Sequence, residues 1–208
     1  MIPLMLDLTG RRVLIFGGGD VGARKAAYFE HEMEVTVISR SFSPDLEGLA
    51  VQRQEADLSS LTDEALRGIL QGAFLAVAAT QDPVINNRIG KLCAEMGVLF
   101  NNAAGEPGDV IIPSIVRGSN YLVAISTRGK SPAVSRYLRE KLEAEYADLD
   151  RMIDLQEEVR SMLKKTEPVQ EERSRILWKI LSYDEIWEAL ASDYSRARGL
   201  AIKRYLHA

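Results

Sequence analysis

Apolar positions along this chain come in two rhythms. From residue 11 to about 102, short continuous runs of four to six apolar residues alternate with stretches of helical period. Runs of that length bounded by turn signals predict buried strands, and the longer periodic stretches predict helices between them. The predicted strands are Arg12–Phe16, Glu34–Ile38, the alternating edge-type segment Val51–Gln54, Phe74–Ala79 and Val98–Asn101. The predicted helices run from about Val21 to His31, from Thr62 to Leu70 with Thr62 as N-cap, and from Pro83 to Met96. A strand–helix alternation of this kind predicts a doubly wound parallel sheet, covered on both faces.

The rhythm changes at Pro113. Ser114 to Thr127 predicts two strands around the Gly118-Ser119-Asn120 turn, and Ser131 and Pro132 then cap and start a helix reaching about Tyr146. After Asp148 the pattern is helical, broken once at Pro168, with a last helix expected to start at Tyr183-Asp184. Leu177, Trp178, Ile180, Leu181, Ile186, Trp187 and Leu190 give this tail helical apolar spacing. The expected division is 1–112 for the sheet domain, 113–147 for the small α/β segment and 148–208 for a helical domain.

Composition narrows the class without changing this picture. Of 208 residues, 46% are hydrophobic and 27% charged, as in ordinary globular proteins, and the net charge of −4 argues against nucleic acid held by bulk electrostatics. A single cysteine, Cys93, excludes an internal disulfide and any multi-cysteine metal site, which fits a reducing cytoplasm. Cys93 is expected in the core. His31 is expected as a favourable helix-end cap, and His207 lies beside the C-terminus, so no metal cluster is expected. The opening residues are too short and too soon charged for a signal peptide, and no run is long enough to span a bilayer.

The first strand runs straight into Gly17-Gly18-Gly19-Asp20-Val21-Gly22, a Gly-x-Gly-x-x-Gly at a strand-to-helix turn. Gly17 permits the tight turn, Gly19 lets backbone approach a pyrophosphate, and Gly22 lets the helix pack close to the strand. A dinucleotide cofactor follows. At the second-strand exit, where an acid often meets the ribose of NAD, stand Ser39-Arg40-Ser41. Arg40 suits the 2′-phosphate of NADP; equally, Arg40 is a solvated surface residue and Ser41 and Phe42 hold the ribose. Thr80, after Ala78-Ala79, ends a central strand where ligands bind in open α/β sheets. Beyond Asn101, the loop to Asp109 carries two carboxylates, Asp109 and Glu106, as candidate proton acceptors. Arg117, Arg128, Lys130, Arg136 and Arg139 gather around a helix start suited to carboxylates or phosphates, with Arg136 and Arg139 alternatively paired to Glu140 and Glu143.

Together these motifs carry a resemblance. The glycine segment through Lys25, Pro3-Leu4, Ala78-Ala79-Thr80, Asn86, Asn101, Ile111-Ile112-Pro113-Ser114 and Ala124 to Pro132 occur in the order seen in the precorrin-2 dehydrogenase / sirohydrochlorin ferrochelatase family. The chain resembles that family of siroheme biosynthesis from near residue 3 to about residue 142.

The resemblance implies a Rossmann-like NAD domain, a dimerisation segment and NAD-dependent oxidation of precorrin-2 to sirohydrochlorin in the cytoplasm. Some family members also insert Fe(II). It implies a homodimer joined through the middle segment, and NAD in place of NADP. Cofactor contacts carry over to Asp20, Val21, Arg40 and Ser41. Asn101, Arg117, Thr127, Arg128, Lys130 and Ser131 become candidates for holding the polycarboxylate substrate. One departure stands out: the family aspartate after the matched asparagine is absent from Asn102-Ala103-Ala104-Gly105. Asp109, with Glu106 second, is then the candidate base. Rival readings are an NAD- or tetrapyrrole-binding sensor without catalysis, and a chelatase that no longer oxidises.

Overall fold

The computed structural model describes residues 2–104 and 106–206. Gly105 and His207 lie outside the described residues. The chain divides into two compact units, Met1–Ile112 and Pro113–Ala208.

The first unit is a five-stranded parallel sheet in the order β3-β2-β1-β4-β5. Its elements are β1 (Arg12–Phe16), α1 (Asp20–Phe29), β2 (Glu34–Ser39), β3 (Val51–Glu55), α2 (Asp63–Leu70), β4 (Leu75–Ala78), α3 (Pro83–Met96) and β5 (Leu99–Asn102). The order places β1 between β2 and β4, with Val13 flanked by Val35 and Leu75, and Ile15 by Val37 and Val77. Side chains alternate across the sheet. Val13, Ile15, Val35, Val37 and Val77 pack with Ala23, Ala26 and Phe29 of α1. Leu14, Phe16, Ile38 and Ala76 pack with Leu66 of α2 and Ile89, Leu92 and Cys93 of α3. Both faces of the central strands are thus dry, which is why those strands are unbroken apolar runs. Outermost β3 is exposed along most of its length, as its polar alternation requires.

Local chemistry sets the helix ends. Thr62 Oγ1 accepts from Ala65 N, as expected. Asp82 accepts from Val84 N, Pro83 opens α3, and Gly97 ends it at a φ of 70°. One expectation is corrected here. Helix α1 ends at Phe29, and its last turn is closed by the backbone N–H of Glu30 on Ala26 O. His31 lies beyond the helix with a largely exposed ring, beside Glu30 at 4.0 Å, an ion pair only when the imidazole is protonated. It caps nothing.

In the second unit, β6 (Ser114–Arg117) and β7 (Leu122–Ile125) form a two-stranded antiparallel sheet, followed by α4 (Pro132–Glu145). Then come α5 (Leu149–Thr166), α6 (Gln170–Leu181), α7 (Asp184–Ser192) and α8 (Tyr194–Tyr205). Met152, Leu155, Val159 and Leu163 form the buried stripe of α5 against Ile180, Ile186, Leu190 and Ala201. Asp150 of α5 accepts from Ser119 N at 2.9 Å and Asn120 N at 2.7 Å, which pins the hairpin turn to the helices.

Two further expectations change. The tail after Tyr183 is two helices, because Asp193 leaves helical geometry and caps α8 through Arg196 N. Trp178 is 70% exposed, on the opposite side of α6 from buried Ile180. Among the described residues no helix is long and apolar enough to cross a membrane.

Candidate functional site

The glycine turn is held by close packing. Gly17 sits at a φ of 116°, where an added Cβ would come within 2.6 Å of Ala79 O. At Gly22 an added Cβ would fall 1.9 Å from Gly17 O, so α1 rests directly on the turn. Gly18 is also confined, since an added Cβ there would fall 2.4 Å from Ser41 O, a constraint the motif alone did not reveal. Gly19 differs. A Cβ there would meet nothing within 4 Å, although its φ of −77° suits any residue. The space in front of Gly19 is open, and no side chain caps α1. The first-turn N–H groups of α1 are therefore available to an anion. This open cradle fits the pyrophosphate of a dinucleotide.

The cradle is one wall of a cleft of about 410 Å³ at the carboxyl ends of the strands. Gly17, Gly19, Arg40, Ser41 and Thr80 line it together, as the sequence suggested. Asp20 and Val21 are exposed at the start of α1, where Asp20 accepts from Ser43 Oγ at 3.2 Å, while Gly22 is buried in the packing beneath. The sequence reading missed Asp57 and Ser59, which close the cleft from the exit of β3. Neither belongs to a motif; pairing of β2 with β3 brings them there. A larger groove, about 680 Å³, runs along α5 and α6 and is lined by side chains such as Gln156, Arg160 and Arg173. It lacks the backbone cradle that marks the smaller cleft.

Thr80 is fixed by Asn86, which is fully buried on α3. Asn86 Oδ1 accepts from Thr80 Oγ1 at 2.6 Å and from Thr80 N at 3.3 Å. Its Nδ2 donates to Thr80 O at 3.1 Å and to Ala104 O at 2.9 Å. One amide thus ties the exits of β4 and β5 together, with every donor and acceptor used.

Other candidates lie elsewhere in their units. Asn101 is turned inward, its Nδ2 on Val110 O at 2.7 Å and its buried Oδ1 without a hydrogen bond. Its amide nitrogen ties β5 to the backbone at Val110. Asp109 and Glu106 border a recess of about 250 Å³ beside α3, with Lys91 and Asn102. That recess shares no lining residue with the glycine cleft. Cys93 is buried as expected, and burial, with the Asp109 charge second, pushes its thiol up to about 12.

In the second unit, Thr127 and Ser131 hydrogen-bond each other: Ser131 N donates to Thr127 Oγ1, and that hydroxyl donates to Ser131 O, both at 3.0 Å. Ser131 Oγ also caps α4 through Val134 N. These hydroxyls build the turn that raises Arg128, at a φ of 54°, and Lys130, both exposed. Arg136 pairs with Glu140 at 2.7 Å and Arg139 with Glu143 at 3.1 Å, which leaves them on a solvated helix face.

Residues 4–114 match a family model described as "Putative NAD(P)-binding". Across 204 residues the chain is 41% identical to the precorrin-2 dehydrogenase of Methanosarcina barkeri, covering 94% of this chain and 89% of that protein. The chain belongs to the precorrin-2 dehydrogenase family. It is also 34% identical to the siroheme synthase of Azotobacter vinelandii over 92% of this chain, which corresponds to 41% of that longer protein. The solved structure of SirC, a precorrin-2 dehydrogenase, superposes with a TM-score of 0.72 at 23% identity over the full length of both chains, and so shares the fold. The residues that line the cleft all fall within the stretch matched by that NAD(P)-binding family model.

Proposed function

We propose that the chain oxidises precorrin-2 to sirohydrochlorin with NAD⁺. The observation that carries this reading is the 41% identity to a precorrin-2 dehydrogenase along nearly the whole of both chains. The open cradle at Gly19 supports it, because the reaction needs a bound hydride acceptor. NAD⁺ supplies that acceptor when bound; the rest falls to the protein. The N–H groups of α1 hold the pyrophosphate, and Thr80, locked by Asn86, shapes the floor of the cleft. Arg117, Arg128 and Lys130 are the proposed partners of the substrate carboxylates, with the Thr127–Ser131 turn holding the latter two in place.

Oxidation releases a hydride to the cofactor and a proton to a base. Asp109 is the proposed base and Glu106 the second candidate; both are exposed carboxylates on the loop that follows β5. The substrate is a broad macrocycle, so a base beside α3 serves it without lining the dinucleotide cleft. Asp109→Ala should lower kcat by about a hundredfold or more, the usual contribution of a general base. Unchanged turnover at saturating NAD⁺ would remove Asp109 from the mechanism. The reading as a whole is tested by mixing protein, NAD⁺ and precorrin-2. NADH absorbance should rise as sirohydrochlorin forms, and its absence would leave a binding module.

The same reading includes a cytoplasmic homodimer joined through residues 113–147. Helix α4 buries only Ser135, while Val134, Tyr137 and Leu138 are 46%, 58% and 42% exposed. Among the described residues, strands β6 and β7 pair only with each other, which leaves an unpaired edge on each. A second copy would cover both features. Tyr137→Glu is expected to shift the protein to monomer in analytical ultracentrifugation with its helix content unchanged; a persistent dimer would move the interface off α4.

A further inference from the structure

Strand β2 leaves the sheet at Ser39 and delivers Arg40, a cation, to the place where an acidic residue ordinarily meets the ribose of NAD. Taken alone, Arg40 favours the 2′-phosphate of NADP. The structure adds a second charge. Strand β3 runs parallel beside β2, with Ser39 opposite Glu55 and Ala56 N donating to Ser39 O at 3.0 Å. Asp57 follows Ala56, two residues past the end of β3, so Asp57 and Arg40 leave neighbouring strand ends and line the same cleft.

Asp57 is also oriented. Its Oδ1 accepts from Ser59 N at 3.0 Å and from Ser59 Oγ at 2.6 Å. Both bonds fall on one oxygen, and among the described residues Oδ2 has no hydrogen bond. The Ser59 bonds hold the Asp57 carboxyl below the usual carboxylate range, with the Arg40 charge a further cause. Asp57 therefore enters the cleft as an anion at neutral pH.

We propose that Asp57, from the exit of β3, is the specificity-determining residue of this cleft: its free oxygen accepts from the adenosine ribose hydroxyls, and its charge excludes the 2′-phosphate that Arg40 would otherwise attract. This assignment rests on the dinucleotide reading of the cleft and deepens it. The acid that selects NAD is displaced by one strand, from β2 to β3. A carboxylate facing a dianionic phosphate is repulsive in a way that no neutral residue is, so the effect is on discrimination more than on overall affinity.

The test is a pair of dissociation constants, for NAD⁺ and NADP⁺, measured by calorimetry on the full chain without substrate. Wild type should prefer NAD⁺. Asp57→Asn, which keeps the shape and removes the charge, should move the NADP⁺-to-NAD⁺ affinity ratio by about tenfold toward NADP⁺. Adding Arg40→Ala to that variant should take most of the gained NADP⁺ affinity away. A ratio that stays within about twofold in Asp57→Asn, with the protein folded by circular dichroism, overturns the assignment while leaving the dinucleotide site intact. A wild type that prefers NADP⁺ overturns it equally. A wild type that binds neither nucleotide overturns the site itself, and the assignment with it.

Discussion

Gly19→Ala is expected to fold as the parent does and to lose about tenfold or more in affinity for NAD⁺, whereas Gly17→Ala is expected to lose about 2–6 kcal/mol of stability. The contrast follows from what each methyl would meet. At Gly19 the backbone is already in an ordinary region and the space is empty, so the only cost falls on whatever ligand uses that space. At Gly17 an alanine inherits a φ of 116° and a contact of 2.6 Å with Ala79 O, a backbone atom that cannot swing aside. Strain and overpacking, each about 1–3 kcal/mol, add there. Against a total stability of about 5–15 kcal/mol that is a large share. Urea unfolding with calorimetric titration of each variant separates the two effects. A Gly19→Ala protein that binds NAD⁺ as wild type does would mean that the cradle holds no phosphate.

Asn86→Ala should cost about 2–4 kcal/mol and raise the KM for NAD⁺. The side chain makes four hydrogen bonds from a fully buried position, and truncation strands the Thr80 N–H and two carbonyls beside a small cavity, while the Thr80 hydroxyl keeps Asp82 as a partner. Water reaches the exposed Ala104 end more readily than the Thr80 end, which keeps the cost below the sum of four separate losses. Asn86→Asp should be at least as harmful. It keeps the two bonds accepted from Thr80 but sets a charge against the carbonyls of Thr80 and Ala104, which need donors. Denaturation midpoints of both variants, with KM for NAD⁺, measure this. A drop in stability with KM unchanged would make the clamp purely structural.

Much of the first unit was legible because its signals are local. Val13 to Gly22 states strand, turn and helix in one segment, and Gly22 is fixed by an atom a few positions away, Gly17 O, whereas Gly17 and Gly18 are confined by Ala79 and Ser41 from distant segments. The cleft was only half legible. Arg40, Ser41 and Thr80 stand at strand ends that the apolar runs reveal. Asp57 follows a polar edge strand whose exit resembles any Asx turn, and its membership is decided by strand pairing. Asn86 was visible as part of a resemblance, but its work as a clamp depends on Ala104 arriving from β5. Helical periodicity misled at Trp178, which continues an apolar run in sequence while facing solvent in space. The break at Asp193 carries neither proline nor glycine, so nothing local announced it. Thr127 and Ser131 became candidates through the resemblance alone; that their hydroxyls also build the turn depends on contacts between them that no motif states.

The cleft is assembled from the exits of β1, β2, β3 and β4, and β1 finds its partner β4 only after β2, β3 and α2 have been laid down. Parallel pairing across such a separation is slow, because loop closure comes before any contact rewards it. The glycine turn is therefore among the earliest segments synthesised and among the last to work. Until β4 docks, Ala79 is not there to confine Gly17, and the cleft lacks the side formed by Ala79 to Asp82. A dinucleotide can hold the finished sheet together, but it cannot serve as the template on which the sheet folds.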